Sequence, residues 1–365
     1  MKFPTKISLY MASQFIVWLG IGFLVFSSLI FLVDSVEVLR KSSSRDVPSS
    51  VIFQISILHL PNLLQQISPF AFLFGALLCF TKLTRTRELV VTRASGVSVW
   101  QFLMPSIGVS FLIGIFVVTS FNPLSAMMNA RAAQLEDKYF DNDSSQISFS
   151  KSGLWLKQRS GENEGETLIT AASISPDSRN FRDLIIFEFD KDHKFARRID
   201  AHEGKLLTDQ WIFSDVIINT PGNLPQKLPQ YTIPTKLSLA QIQDSFNSPD
   251  TISFWALPEF IEALEDSGFS ALRHRLYFHS ILATPVMFAT MVLLAAVFSL
   301  RFSRRSRTGL LITGGVFTGF VFYFITKLTG SFGVAGDMPV ILAAWTPTFI
   351  FILIAIWLLL HLEES

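Results

Sequence analysis

Six apolar runs, at roughly 12–33, 58–81, 102–121, 276–299, 309–328 and 340–360, restrict this chain more than any other feature of its sequence. Each is long enough to carry a helix across a hydrocarbon core of about 30 Å, which takes about 20 residues. Inside such a core every backbone N–H and C=O must find a partner within its own segment, so these runs are expected to be helices. The composition agrees. Half of the 365 residues are hydrophobic, 16% are charged and 36 are Phe, a balance too apolar for an ordinary water-soluble globule.

Lys2 and Lys6 precede the first run as they would in a signal peptide. The apolar stretch from about Met11 to Val33 nevertheless exceeds the ~7–15 residues of a signal-peptide core, so it reads as a retained span with the amino terminus in the cytoplasm. Alternation then places the basic stretch 82–101, the cluster Arg301, Arg304, Arg305 and Arg307 and the HLEES tail on the inner side, as the bias of Lys and Arg toward cytoplasmic loops requires. Residues 34–50 read as a polar outer loop. Arg40, Lys41, Arg45, Arg273, Arg275 and Lys327 fall on the outer side against that bias.

Between the third and fourth runs the character changes. Over 122–275 charges return, Asn, Asp, Gly and Ser are frequent, and no apolar stretch approaches a span. Alternation of apolar and polar residues marks strands at 153–157, 184–189, 211–218 and 231–237. Turn signals stand at Ser160-Gly161, Ser175-Pro176-Asp177, Glu203-Gly204 and Pro221-Gly222-Asn223. Helical flanks are expected at 129–138 and at 258–266, where Phe260, Ile261 and Leu264 keep helical spacing and Gly268 is the stop. The expected architecture is an α-helical membrane protein of six transmembrane helices in a 3+3 arrangement, with an inserted all-β, jelly-roll-like outer domain. Residues 1–121 hold the first three spans, 122–275 the insert and 276–365 the last three.

Several chemistries find no support. No G-x-x-x-x-G-K-[ST] segment is present, so ATP hydrolysis by that route is not expected of this chain. H-E-x-x-H, G-x-S-x-G and paired-cysteine motifs are missing too, and the six histidines are scattered. The single cysteine, Cys79, lies in an apolar run, which excludes an intrachain disulfide. A net charge of +1 gives no reason to expect nucleic acid as a partner. No catalytic group, metal or cofactor is expected. The span centres carry almost no ionisable residue, which disfavours an ion-driven carrier, since such carriers keep buried charges as coupling sites. If the chain moves a substrate, the energy enters from elsewhere.

Two groups of polar residues remain. In KLTRTRELVVTRASGVSVWQ at 82–101, Arg85, Glu88, Thr92 and Ser95 share one side of a helix, and Val90, Ala94 and Val97 the other. That is either a docking helix for a separate ATPase subunit or an ordinary charged loop. At the outer ends of the spans, Asp34, Arg40, Lys41, Arg273 and Lys327 either anchor helices at the interface or form a cationic rim that pairs with the phosphates of an anionic lipid.

The segment RELVVTRASGVSVWQ at 87–101, following GALLCFTKL, resembles the lipopolysaccharide export permeases of the LptF/LptG (YjgP/YjgQ) family, the LptG branch more closely. FLVDSVEVLRK after the first run, SGLWLK at 152–157 and GFVFYFITK at 319–327 support it, and the likeness covers the whole chain in order. The resemblance implies a Gram-negative inner-membrane permease that pairs with an LptF-like permease on an LptB-like ATPase dimer and hands lipopolysaccharide to an LptC-like periplasmic bridge protein. It implies that Arg87 to Ser98 form the coupling helix, within a helical stretch of about 84–98. Arg87, Glu88, Leu89, Arg93, Ser95 and Gly96 would touch the ATPase there, with Glu88 the key contact. It places Asp34, Arg40 and Lys41 where the first span lines the lipid cavity, although Glu37 stands there where a more basic run belongs. The first and fifth spans would form lateral gates. Gly314, Gly315 and Gly319 on the fifth fit either gating or plain helix packing. A rival class is a membrane-anchored periplasmic binding or sensor protein without transport activity.

Overall fold

A computed structural model describes residues 5–42, 47–88, 91–92, 96–140, 146–150, 153–159, 166–174, 180–190, 194–207, 210–235, 248–301 and 308–364. The chain divides into two compact units, one taking in residues 1–136, 253–255 and 272–365, the other 137–252 and 256–271.

The first unit is helical. In chain order it holds α1 (Thr5–Ser42), α2 (Ser49–Arg85), α3 (Val99–Phe116), a π-helical turn (Val117–Phe121) and α4 (Asn122–Phe140) as far as residue 136, then α6 (Leu272–Arg301), α7 (Thr308–Ala335) and α8 (Val340–Glu364). Helix α5 (Leu257–Asp266) belongs to the second unit. Among the described residues five stretches are long and apolar enough to cross a membrane: α1, α2, α3 with α4, α6 and α8. The expected span at 309–328 falls on α7, a 28-residue helix outside those five. Thr313, Gly314, Gly315, Thr318 and Gly319 dilute the apolar character of its described part.

Residues 34–42 are not loop, as the sequence pattern led one to expect, but the last turns of α1. Their charges suit a helix, because Glu37 and Arg40 are three apart and pair at 2.7 Å. Helix α2 keeps Pro61 and Pro69 inside one element. Its Phe72 stacks on Phe288 of α6 with centroids 4.0 Å apart, at the centre of a buried cluster that includes Phe15, Phe80, Phe102 and Met291. Glycines set the closest crossings. A Cβ on Gly75 would lie 2.9 Å from the Leu19 Cα of α1, and one on Gly114 would lie 2.4 Å from the Pro285 Cα of α6. Those pairs of backbones meet with no side chain between them.

Asn122 organises the polar interior. It is 1% exposed, accepts the Phe254 N–H at its Oδ1 (2.9 Å), and donates from Nδ2 to Gln65 Oε1 (3.2 Å) and the Tyr277 hydroxyl (3.4 Å). It directly follows the π-helical turn, whose Thr119 carbonyl accepts the Trp255 indole N–H at 3.1 Å. A π-turn frees carbonyls that need partners from outside the helix, and the indole is one.

The second unit is a seven-stranded antiparallel sheet, β1 (Gln146–Ser150), β2 (Gly153–Arg159), β3 (Glu166–Ile174), β4 (Asn180–Phe189), β5 (Phe195–Leu206), β6 (Gln210–Asn219) and β7 (Gln226–Pro234). The strands pair in chain order, so among the described residues this is a meander, without the Greek-key crossings that define a jelly roll. It curls: the Gln158 amide on β2 donates to Pro234 O (3.3 Å) and accepts from the Thr235 hydroxyl (2.8 Å) just beyond β7. The inner face is filled by its own side chains, among them Phe181, Trp211 and Phe213 at 0–1% exposure.

Gly204 is not a turn residue, as the Glu203-Gly204 signal implied, but lies inside β5. A Cβ there would meet Leu184 and Phe213 at 3.0 Å, so glycine fills a crowded inner position. Of the other turn signals, Pro221-Gly222-Asn223 forms one, with Gly222 at φ +84°. Ser160-Gly161 and Ser175-Pro176-Asp177 lie outside the described residues. At one level the inside-outside alternation slips on three neighbouring strands together, with exposed pairs at 182–183, 202–203 and 214–215. Arg182, Glu203 and Ser214 are aligned there, and Asp183 and Asp215 take left-handed φ of 51° and 52°.

Helix α5 buries Leu257, Ile261 and Leu264. It stops at Gly268, whose φ of +80° lets the Phe269 N–H turn back to Leu264 O at 2.9 Å.

Candidate functional site

The stretch 86–98 begins where α2 stops. The Thr86 hydroxyl and N–H both return to Lys82 O, and Arg87 adopts φ +63°, a left-handed conformation that breaks the helix. Arg85 therefore belongs to α2 and does not share a helix with Glu88 and Thr92 as the periodicity implied. A new turn then forms, with Val91 N–H bonded to Arg87 O at 3.0 Å and the Thr92 hydroxyl bonded to Glu88 O at 2.7 Å. Gly96 at φ +87° turns the chain again, and a reciprocal capping box between Ser98 and Gln101 starts α3. Ser98 is thus the cap of the next helix. Leu89, Arg93 and Ser95 lie outside the described residues.

The described residues between the left-handed Arg87 and Gly96 stand beside α1. The Tyr10 hydroxyl of α1 faces the Glu88 carboxylate. One turn further along α1, Gln14 Oε1 accepts from Lys82 Nζ at 3.1 Å, and Lys82 also sits 5.7 Å from the centre of the Trp18 ring. Arg85, Arg87 and Gly96 are exposed, and Val91 is 68% exposed. The segment thus presents Arg87 and Val91 outward, beside the exposed Arg85 at the end of α2.

The charges at the other end of α1 form a cluster that spacing alone did not reveal. His59 of α2 sits between Asp34 of α1 (Nδ1 to Oδ1, 3.3 Å) and Glu136 of α4 (Nε2 to Oε2, 3.8 Å), and Lys41 reaches Glu136 at 3.8 Å. Asp34 and Lys41 are seven apart on α1 and both reach this cluster, whereas Arg40 pairs with Glu37. His59 and Glu136 were missed because nothing in their local sequence marks them. The signal is purely tertiary.

Arg273 and Lys327 do not join that cluster. They line a separate cavity of about 720 Å³ between α2, α6, α7 and α8. Gly315 and Gly319 of α7 face Leu77 and Phe70 of α2, and Gly314 faces Phe298 of α6, so in this conformation all three serve packing within the chain. Of the inner arginine cluster, Arg304, Arg305 and Arg307 lie outside the described residues.

The profile of the family described as "Lipopolysaccharide export system permease LptF/LptG" matches residues 9–361. The chain is 25% identical over 332 residues to the lipopolysaccharide export system permease protein LptG of Haemophilus influenzae, covering 86% of each chain. It is likewise 25% identical over 351 residues to the LptG protein of Escherichia coli K12, covering 92% of each.

Proposed function

Because the chain belongs to the LptF/LptG family of lipopolysaccharide export permeases, we propose that it is the LptG-type permease of an ATP-driven exporter in the inner membrane of a Gram-negative cell. In this reading α7 is the remaining span, for six in all, and the β unit lies in the periplasm. The chain pairs with an LptF-like permease on an LptB-like ATPase dimer and passes lipopolysaccharide to an LptC-like protein. The observation that supports the coupling role is the stretch from Arg87 to Ser98, with left-handed residues at Arg87 and Gly96, a capping box at Ser98, and Glu88 facing Tyr10 of α1.

Closure of the ATPase on binding ATP displaces this segment as a body. The contact between Tyr10 and Glu88 carries that displacement into α1. The apolar cavity between the two permeases narrows and the acyl chains leave it. Exposing them to water costs about 0.8 kcal/mol per CH₂, so an apolar surface must receive them. The inner face of the β unit is that surface, and because its own side chains fill it here, the curled sheet opens to accept a chain.

Co-purification of the tagged full-length chain from cells that also express the ATPase tests this. Glu88→Ala is expected to lower ATPase recovery about tenfold, the equivalent of ~1.4 kcal/mol. Undiminished recovery would sink the coupling role. Tyr10→Phe is expected to keep the ATPase bound and to lower lipid-dependent ATP hydrolysis, since it cuts the connection to α1 and not the docking surface.

For the outer end, Arg40→Glu with Lys41→Glu is expected to reduce crosslinking of lipopolysaccharide to α1 several-fold while ATPase recovery stays unchanged. Equal crosslinking in the variant would remove these two residues from the lipid path.

A further inference from the structure

His59 is the one ionisable side chain in the first half of α2, the next along that helix being Cys79, twenty residues on. It is only 17% exposed, and each of its ring nitrogens faces a carboxylate from a different helix, Asp34 of α1 at Nδ1 (3.3 Å) and Glu136 of α4 at Nε2 (3.8 Å). A neutral imidazole donates from one nitrogen and turns a lone pair on whatever faces the other. Only the imidazolium donates from both, so a ring set between two carboxylates suits the charged form.

The charges agree with the geometry. Lys41 of α1 reaches Glu136 Oε1 at 3.8 Å, while Glu37 and Arg40 pair with each other. Among the described residues the charged groups facing the ring are therefore Asp34 and Lys41 from α1 and Glu136 from α4. With His59 charged the four groups balance; with it neutral a negative charge is left over between three helices. Asp34 Oδ2 and Glu136 Oε1 are closed to water and hold no hydrogen bond among the described residues, so that surplus is poorly solvated. Lys41 is half-exposed, which leaves water a way to the rim of the cluster and the ring a way to exchange its proton.

We propose that His59 is a proton-operated latch: a positioning residue whose charged ring ties the Asp34 end of α1 to α4 and whose neutral ring lets that end go. Acid closes the latch, because it supplies the second ring proton, and alkali opens it. Of the two helices it joins, α1 is the one that moves, since 11% of its apolar window is buried against 33% for the continuous stretch of α3 and α4. The latch works within one chain and does not rest on the export reading.

Pulsed electron–electron resonance on the full-length chain in lipid nanodiscs tests it, with spin labels on Leu39→Cys of α1 and Gln134→Cys of α4, both exposed positions. Cys79 is fully buried and does not compete for label. A single short distance is expected in acid. Raising the pH is expected to convert it to a population longer by about 2 Å or more, as a one-proton transition with its midpoint between about pH 5 and 8. His59→Gln, neutral throughout, is expected to give the longer distance at every pH, and His59→Arg, charged throughout, the shorter one. Asp34→Asn takes away one acceptor and leaves the ring in place, and is expected to abolish the response as well. The labelled protein with His59 intact reads the transition without any change to the cluster. A distance that does not vary with pH in that protein, or a pH response that survives in His59→Gln, overturns the proposal.

Discussion

Replacing Gly114 with leucine is expected to lower the thermal unfolding midpoint of the detergent-purified chain by about 10 °C, or to prevent its recovery as a monodisperse species. A Cβ at this position would lie 2.4 Å from the Pro285 Cα and 3.0 Å from the Pro285 N. Both are backbone atoms, so no rotamer change relieves the clash, and α3 must move off α6. Helix α6 is the most buried of the candidate spans, with 78% of its apolar window inside the protein, so the displacement spreads through the core around Phe72 and Phe288. Overpacking of this kind costs about 1–3 kcal/mol or more. Gly108→Leu on the same helix is the control. Nothing lies within 4 Å of a Cβ there, and its midpoint should match the parent. Equal behaviour of the two variants would show that the α3–α6 crossing is not a close backbone contact.

The second large effect is expected at Asn122. Leucine is close to it in volume, but Asn122→Leu strands the Phe254 N–H and Gln65 Oε1, both joined to Asn122 in the interior. Each buried polar group left without a partner costs about 1–3 kcal/mol, so a loss of ~3 kcal/mol is expected. Asn122→Asp separates the bonds: it can still accept from Phe254 N–H but no longer donates to Gln65 or Tyr277. Its midpoint in the same unfolding experiment is expected between the parent and the leucine variant at neutral pH. Identical midpoints for parent and leucine variant would mean that water satisfies these groups and that the network contributes little.

The parts of this fold that could be read from sequence are those that a local period encodes. Continuous apolar runs announce helices, and alternation located β2, β6, the later part of β4 and only the last residues, 231–234, of β7. Strand β5 escaped because its inner positions include Ala201 and Gly204, where the neighbours Leu184 and Phe213 leave no room for larger side chains. Its dipeptide Glu203-Gly204 then imitates a turn. The last turns of α1 escaped because charged residues end an apolar run without ending a helix, and the partners that keep Asp34 and Lys41 helical lie on α2 and α4. The inner segment was recognisable as a basic, amphipathic stretch. The break at Arg87 was not, since a left-handed arginine has no mark in the sequence. His59 reads as one scattered histidine until α2 carries it between two carboxylates.

The crossing of α1 over α2 has a mechanical consequence. Gly22 faces Ala71 and Gly75, and Gly75 lies against Leu19, so the two backbones touch near the middle of α1 while only 11% of its apolar window is buried. Tyr10 stands twelve residues to one side of Gly22 and Asp34 twelve to the other, about 18 Å each way at 1.5 Å per residue. A stiff rod resting on such a fulcrum has equal arms. A push of about 1–2 Å delivered at Glu88, the size of known helix shifts, would swing the Asp34 end through a similar distance in the opposite sense.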